Sequence, residues 1–238
     1  MWIKANPSLP YFPELKKEMD KDMIKMKYES HIEQDFLTKR MNWPETDKEI
    51  QVTDWKNILA TNKKIPDLRG RDAVVGIDYA SISDFASAGV LIRDGDMRYW
   101  ISHSWVCKQS KDLHRIKPPL REWEKAGHLT FVDDVEISPQ LIANWIEEQG
   151  RIYNIHKVAL DNFRYALVTN ALKDIGFSWK DYKNVKLVRP SDVMIVSPVI
   201  ESCFANQLIV WGDNPLMRWY TNNTKMIRTG INKTTGNM

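Results

Sequence analysis

Hydrophobic positions along the chain follow two regimes that meet near residue 71. In residues 14–41, Leu15, Met19, Met23, Met26 and Ile32 recur at roughly helical spacing, which predicts one long helix. The lead-in, residues 1–13, holds Pro7, Pro10 and Pro13 and reads as irregular. Residues 42–70 are polar and broken by Pro44, Pro66 and Gly70. They read as a linker with two anchoring aromatics, Trp43 and Trp55.

From residue 72 the apolar runs become short and β-branched. Ala73-Val74-Val75-Gly76-Ile77 reads as a buried strand that ends on Asp78. A second strand is expected at 87–93, a turn at Gly95 and a third strand at 97–106, which makes a meander. Leu129–Val132 is extended, Lys157–Leu160 is a strand ending on Asp161, and 186–188 is a further strand. Helical stretches fall between them. Pro119–Lys125 is one. Another starts at Ser138-Pro139, with Ser as N-cap and Pro in the first turn, and runs to about Gly150. Tyr165–Ile175 is stopped by Gly176, a helix capped by Ser191 runs to about Asn206, Gln207–Val210 is extended, and Pro215–Asn223 closes the series. A meander followed by alternating strands and helices predicts an α/β domain with a mixed sheet. The boundaries drawn from this pattern are 1–70 for a helical linker and 71–238 for the α/β domain.

Composition narrows the class. The chain has 238 residues, 43% of them apolar and 27% charged, which is ordinary globular usage and excludes a disordered chain. No apolar run approaches the ~20 residues of a membrane-spanning helix. The N-terminus lacks the basic-then-apolar layout of a signal peptide. Cys107 and Cys203 make no disulfide framework, so a reduced cytosolic setting is expected.

Charge is uneven along the sequence. Residues 1–70 hold 13 Lys/Arg against 12 Asp/Glu, residues 71–182 hold 14 against 16, and residues 183–238 hold 7 against 3. An acidic middle beside a basic tail suits carboxylates that hold cations and Lys/Arg that hold phosphates. Lys186, Arg189, Arg218, Lys225, Arg228 and Lys233 are the candidate DNA contacts. A merely solvated surface is the competing reading.

Two strands end on an isolated aspartate. If these strands are parallel neighbours, Asp78 and Asp161 emerge at one sheet edge, where open α/β sheets bind ligands. Two carboxylates so placed repel unless a cation lies between them, and Mg²⁺ or Mn²⁺ suits such hard oxygen donors. The alternative is that each aspartate caps the element after its strand. Asp84, six residues past Asp78, either folds back toward the same metal or is an ordinary turn residue. No G-x-x-x-x-G-K-[ST], Gly-x-Ser-x-Gly or zinc-type spacing occurs.

Several segments resemble the large terminase subunit of tailed bacteriophages. Trp2-Ile3-Lys4-Ala5-Asn6-Pro7 resembles the segment after that family's motor core. Phe36–Trp43 and Trp55 resemble its linker. Gly76-Ile77-Asp78-Tyr79-Ala80, with Asp84 and Phe85, resembles the first nuclease motif, and Ala159–Arg164 the second. Trp123, Gly127-His128-Leu129 and Asp133-Asp134 resemble the stretch before the second motif, and Gly212–Trp219 with Asn222 and Asn223 the helix before the last. The resemblance implies an RNase H-like mixed sheet flanked by helices and preceded by a helical linker segment. It further implies an endonuclease that cuts concatemeric double-stranded DNA with two divalent ions in the cytoplasm of an infected bacterium. Asp78 and Asp161 match the first two metal-binding carboxylates, and Asp84 an auxiliary one. The implied partners are the terminase small subunit, the portal protein and the ATPase motor domain.

The family's motor is absent here, and its third metal-binding aspartate normally follows the last helix, whereas this sequence stops at Thr234-Thr235-Gly236-Asn237-Met238. The expectation is a C-terminal piece clipped at both ends. Two alternatives stay open: a non-catalytic fragment or docking module, and another RNase H-like nuclease such as a resolvase.

Overall fold

The structure is a computed structural model that describes residues 2–25, 36, 40–41, 51–82, 85–110, 113 and 116–224. It divides into two compact units, residues 52–224 and residues 1–51 with 225–238.

In the smaller unit, α1 spans Trp2–Ala5 and α2 spans Pro13–Lys25. Met19 is fully buried and clusters with Leu9 and Phe36, with Trp2, Leu15 and Met41 packed around them. The expected helical stripe therefore forms over Leu15 and Met19, while Met26 and Ile32 lie outside the described residues. Met23, on the same stripe, is exposed.

The larger unit is built on a sheet with seven strands among the described residues: β1 Asp72–Asp78, β2 Ala86–Asp94, β3 Met97–Cys107, β4 Leu129–Val132, β5 Asn154–Asp161, β6 Val185–Val188 and β7 Ile209–Val210. Their order is β4-β3-β2-β1-β5-β6, with β7 on β3. β1, β2 and β3 form the antiparallel meander, and β5 and β6 add in parallel on the other side of β1. Helices α3 Trp55–Leu59, α4 Leu120–Lys125, α5 Pro139–Gly150, α6 Tyr165–Asp174, α7 Pro190–Ala205 and α8 Pro215–Asn223 complete the unit.

Strand alternation decides which side is core. Ala73, Val75 and Ile77 of β1 bury on one face with Ala88, Val90 and Ile92 of β2 and Val158 and Leu160 of β5. Ile142 and Ile146 of α5 and Val168 and Leu172 of α6 cover that face. The opposite face is covered over β2–β4, where Val106, Leu129 and Phe131 meet Leu120 and Trp123 of α4 and Leu216 of α8. The Trp100 ring lies on this face across Gly89 and Gly76, and a Cβ added at Gly76 would come within 3.2 Å of it. A Cβ at Gly89 would collide with the ring. Glycine at position 89 is thus the condition for seating Trp100, whereas at position 76 a methyl requires the ring to give by only a little.

Three expectations change. Residues 52–70, grouped with the linker from sequence, bury Ile58 against Phe204 and Trp211, and Leu68 in the main core. Trp55 is exposed rather than anchoring, and Trp43 lies outside the described residues. α7 starts at Pro190 with Arg189, not Ser191, as its N-cap. Proline fits the first helical turn, and the Asp192 carboxylate accepts the Arg189 backbone N–H at 2.9 Å, so the cap is made one turn into the helix.

Candidate active site

The last residues of β1 and β5 define the site. β1 and β5 pair in parallel with Ile77 opposite Leu160, so Asp78 and Asp161 are the next pair in register. Parallel neighbours lie ~4.8 Å apart, and paired residues project to the same face. Both aspartates therefore stand side by side on the face opposite Ile77 and Leu160, which are buried.

Each is held by local structure. Tyr79, the residue after Asp78, is buried, and its hydroxyl donates to the Ile137 carbonyl at 2.7 Å. The Ile137 N–H in turn donates to the Ser81 carbonyl at 2.7 Å, which fixes the loop leaving β1. Burial pushes the Tyr79 phenol above its ordinary pKa, so it stays a neutral donor. Asp161 accepts the Phe163 N–H at 2.7 Å through Oδ1, a turn that carries the chain toward α6. Asp161 thus does cap its following turn, at the carboxyl end of β5.

The row continues onto the meander. Asp78 pairs with Ser87 of β2, and Ser87 pairs with Ser104 of β3. The Ser87 and Ser104 hydroxyls are 2.8 Å apart, and the Tyr220 hydroxyl of α8 donates to Ser104 Oγ at 3.2 Å. Asp161, Asp78, Ser87 and Ser104 are consecutive across four strands. Nothing in the sequence marks these serines, because their nearness to Asp78 exists only through strand register.

Among the described residues, no three His, Cys, Asp or Glu side chains converge as a metal site. The donor set is nevertheless the kind that hard divalent cations take: two carboxylates side by side with hydroxyl oxygens next in the row.

The predicted basic residues divide. Lys186 lies on β6 and Arg189 directly after it, at the carboxyl end of the strand beside Asp161. Both line a cavity of about 360 Å³ with Trp179 and Asp192. Lys186 pairs with Asp192 at 3.2 Å, and the Arg189 N–H together with Lys186 holds the Asp192 carboxyl below the usual range. Arg218 is turned inward: its side chain is 16% exposed and pairs with Asp213 at 2.7 Å. Its Nη1 is buried and makes no hydrogen bond among the described residues, so Asp213 engages one end of the guanidinium only. Asp84, Lys225, Arg228 and Lys233 lie outside the described residues.

A family model described as the terminase large subunit, endonuclease domain, matches residues 1–237. No curated protein matches the chain. Among solved structures, the large terminase of bacteriophage HK97 is 17% identical, with a TM-score of 0.63 over 93% of this chain and 46% of that one. The large terminase nuclease of thermophilic phage G20c is 9% identical, with a TM-score of 0.47 over 76% of this chain and 84% of that one. The chain thus spans about half the length of the HK97 protein. At these identities the HK97 likeness is one of fold: an RNase H-like mixed sheet flanked by helices. No helix among the described residues is long and apolar enough to cross a membrane.

Proposed function

The chain belongs to the family of terminase large-subunit endonuclease domains, and on that premise we propose that it is a metal-dependent DNA endonuclease domain that cuts concatemeric phage DNA during packaging. The observation that carries the reading is the placement of Asp78 and Asp161 side by side at the carboxyl ends of β1 and β5. Their carboxylates would hold Mg²⁺ or Mn²⁺. Held there, divalent ions would supply Lewis acidity for activating a water and neutralising the leaving oxygen of a phosphodiester. Lys186 and Arg189, next along the edge, draw the DNA backbone toward the carboxylates. Lys225, Arg228 and Lys233, basic residues of the C-terminal stretch, are proposed DNA contacts as well, and Asp84 is proposed as an auxiliary metal ligand. In this reading the substrate is double-stranded DNA. The ATPase motor, the terminase small subunit and the portal protein are the partners, and the work is done in the cytoplasm of the infected bacterium.

The lack of a third carboxylate, histidine or cysteine ligand among the described residues favours a second reading, a docking module that binds DNA without cutting. Plasmid nicking with Mn²⁺ separates the two. Nicking by the chain that disappears in Asp78→Asn supports the endonuclease. DNA binding with no nicking at any Mn²⁺ concentration supports the docking module. A strong preference for four-way junctions over linear duplex would point instead to a resolvase.

A further inference from the structure

We propose that the Ser87 hydroxyl is a metal ligand, serving a cation on the side of Asp78 that faces away from Asp161. The inference rests on the metal-dependent reading above.

Asp78 is the middle member of a row, with Asp161 on one side and Ser87 on the other. Strand spacing leaves two gaps beside it, one on each flank, with centres one strand spacing of ~4.8 Å apart. Two-metal sites place their ions ~3.5–4 Å apart, a separation that side chains leaning toward Asp78 can reach from this spacing. A carboxylate has two oxygens and can serve both gaps. The first gap is closed by Asp161. The second is closed by Ser87, whose hydroxyl is a hard oxygen donor of the kind Mg²⁺ and Mn²⁺ accept. Ser87 is the protein side-chain oxygen that this register places on that flank of Asp78.

The hydrogen bonds behind Ser87 suit this role. Ser104 is 2% exposed and accepts from the Tyr220 hydroxyl at 3.2 Å. Its remaining lone pair can accept from Ser87, 2.8 Å away. Either hydroxyl of this pair can donate; when Ser87 donates to Ser104, its own lone pairs are left for a cation. Tyr220 is itself held edge-on against Phe85, with ring centroids 5.5 Å apart. Ser104 and Tyr220 are positioning residues, and Ser87 is the ligand.

The test uses the full chain, metal ions alone and no DNA. Mn²⁺ is titrated and free ion read by electron paramagnetic resonance. The wild type should take up two ions. Ser87→Ala should keep the first and weaken the second about tenfold or more, and Tyr220→Phe should weaken only the second, by a smaller factor. Ser87→Cys, which preserves volume, should lose Mg²⁺ affinity at the second position and gain Cd²⁺, seen as an ultraviolet sulfur-to-cadmium charge-transfer band. Wild-type Mn²⁺ binding in Ser87→Ala, or a folded Ser87→Cys that takes Cd²⁺ without that band, overturns the proposal and leaves the endonuclease reading standing. A wild type that binds no more Mn²⁺ than Asp78→Asn overturns the metal reading and this proposal together.

Discussion

At the scale of single residues, Asp78 and Arg218 illustrate two fates of charge. Asp78 stands on the exposed side of its strand, so replacing its charge should spare the fold. Asp78→Asn is expected to abolish nicking while duplex binding stays equal or becomes slightly tighter, because a negative charge facing phosphate is removed. Parallel nicking and gel-shift titrations check this, and loss of both together would mean that Asp78 holds the fold. Arg218 shows the opposite fate. Its guanidinium is largely buried and bonded to Asp213, so Arg218→Ala should cost about 1–2 kcal/mol of stability, from a broken charged hydrogen bond and poorer packing where the side-chain stem was. Urea unfolding measures that cost. Duplex affinity at fixed salt should change little, and a large drop in affinity without a stability change would return Arg218 to the DNA surface.

At the scale of elements, the seating of Trp100 and the pinning of β3 to β4 each give a measurable outcome. Gly89→Ala drives a methyl into the Trp100 ring in the middle of the sheet. The expected cost is about 1–3 kcal/mol, with a smaller cost for Gly76→Ala, where the ring need give only a little. Thermal melts of the two variants should rank in that order. His103 faces the α5 side of β3, with Nδ1 3.2 Å from the Gly127 carbonyl and Nε2 2.9 Å from Thr130 Oγ1. A carbonyl only accepts, so Nδ1–H donates to Gly127, and Nε2 accepts from the threonine in the neutral ring. Burial pushes the His103 pKa down, against a smaller opposing pull from the Gly127 carbonyl, and burial lowers His128 as well. The unfolded chain therefore binds protons that the folded one resists. Stability should be full above the ordinary histidine pKa of about 6.5 and should fall as pH drops below it toward the depressed folded value. Urea midpoints measured from pH 8 to pH 5 should show that fall, and it should be shallower in His103→Gln. An equal slope in both proteins would remove His103 from the account.

At the scale of the whole molecule, the basic residues beside the carboxylate edge set how DNA is held. Reversing Lys186 and Arg189 together should weaken duplex binding regardless of sequence. It should also reduce the log–log salt slope by about one unit for each phosphate no longer neutralised. Binding isotherms across a salt series read this directly, and an unchanged slope would leave Lys186 and Arg189 as solvated neighbours of Asp192. Much of the architecture was legible beforehand. The meander, the strands ending on Asp78 and Asp161, the Ser138-Pro139 helix start and the closing helix Pro215–Asn223 all follow from short-range signals. Such signals are local: alternation, turn residues and caps act within a few residues of one another. The linker boundary was missed because a polar stretch can still bury a few side chains, as Ile58 and Leu68 do.

The sequence by itself determined most elements of the α/β domain and supplied two strand-end aspartates, since periodicity and capping are written along the chain. Tertiary structure alone decided that the two aspartates are neighbours, that Ser87 and Ser104 continue their row, and that Arg218 is largely buried beside Asp213. Each of these depends on register or packing between segments far apart in sequence or on how a helix turns its face. Register is set by which face of every strand must be buried, and a slip of one residue would turn Asp78 into the core and Ile77 out to solvent.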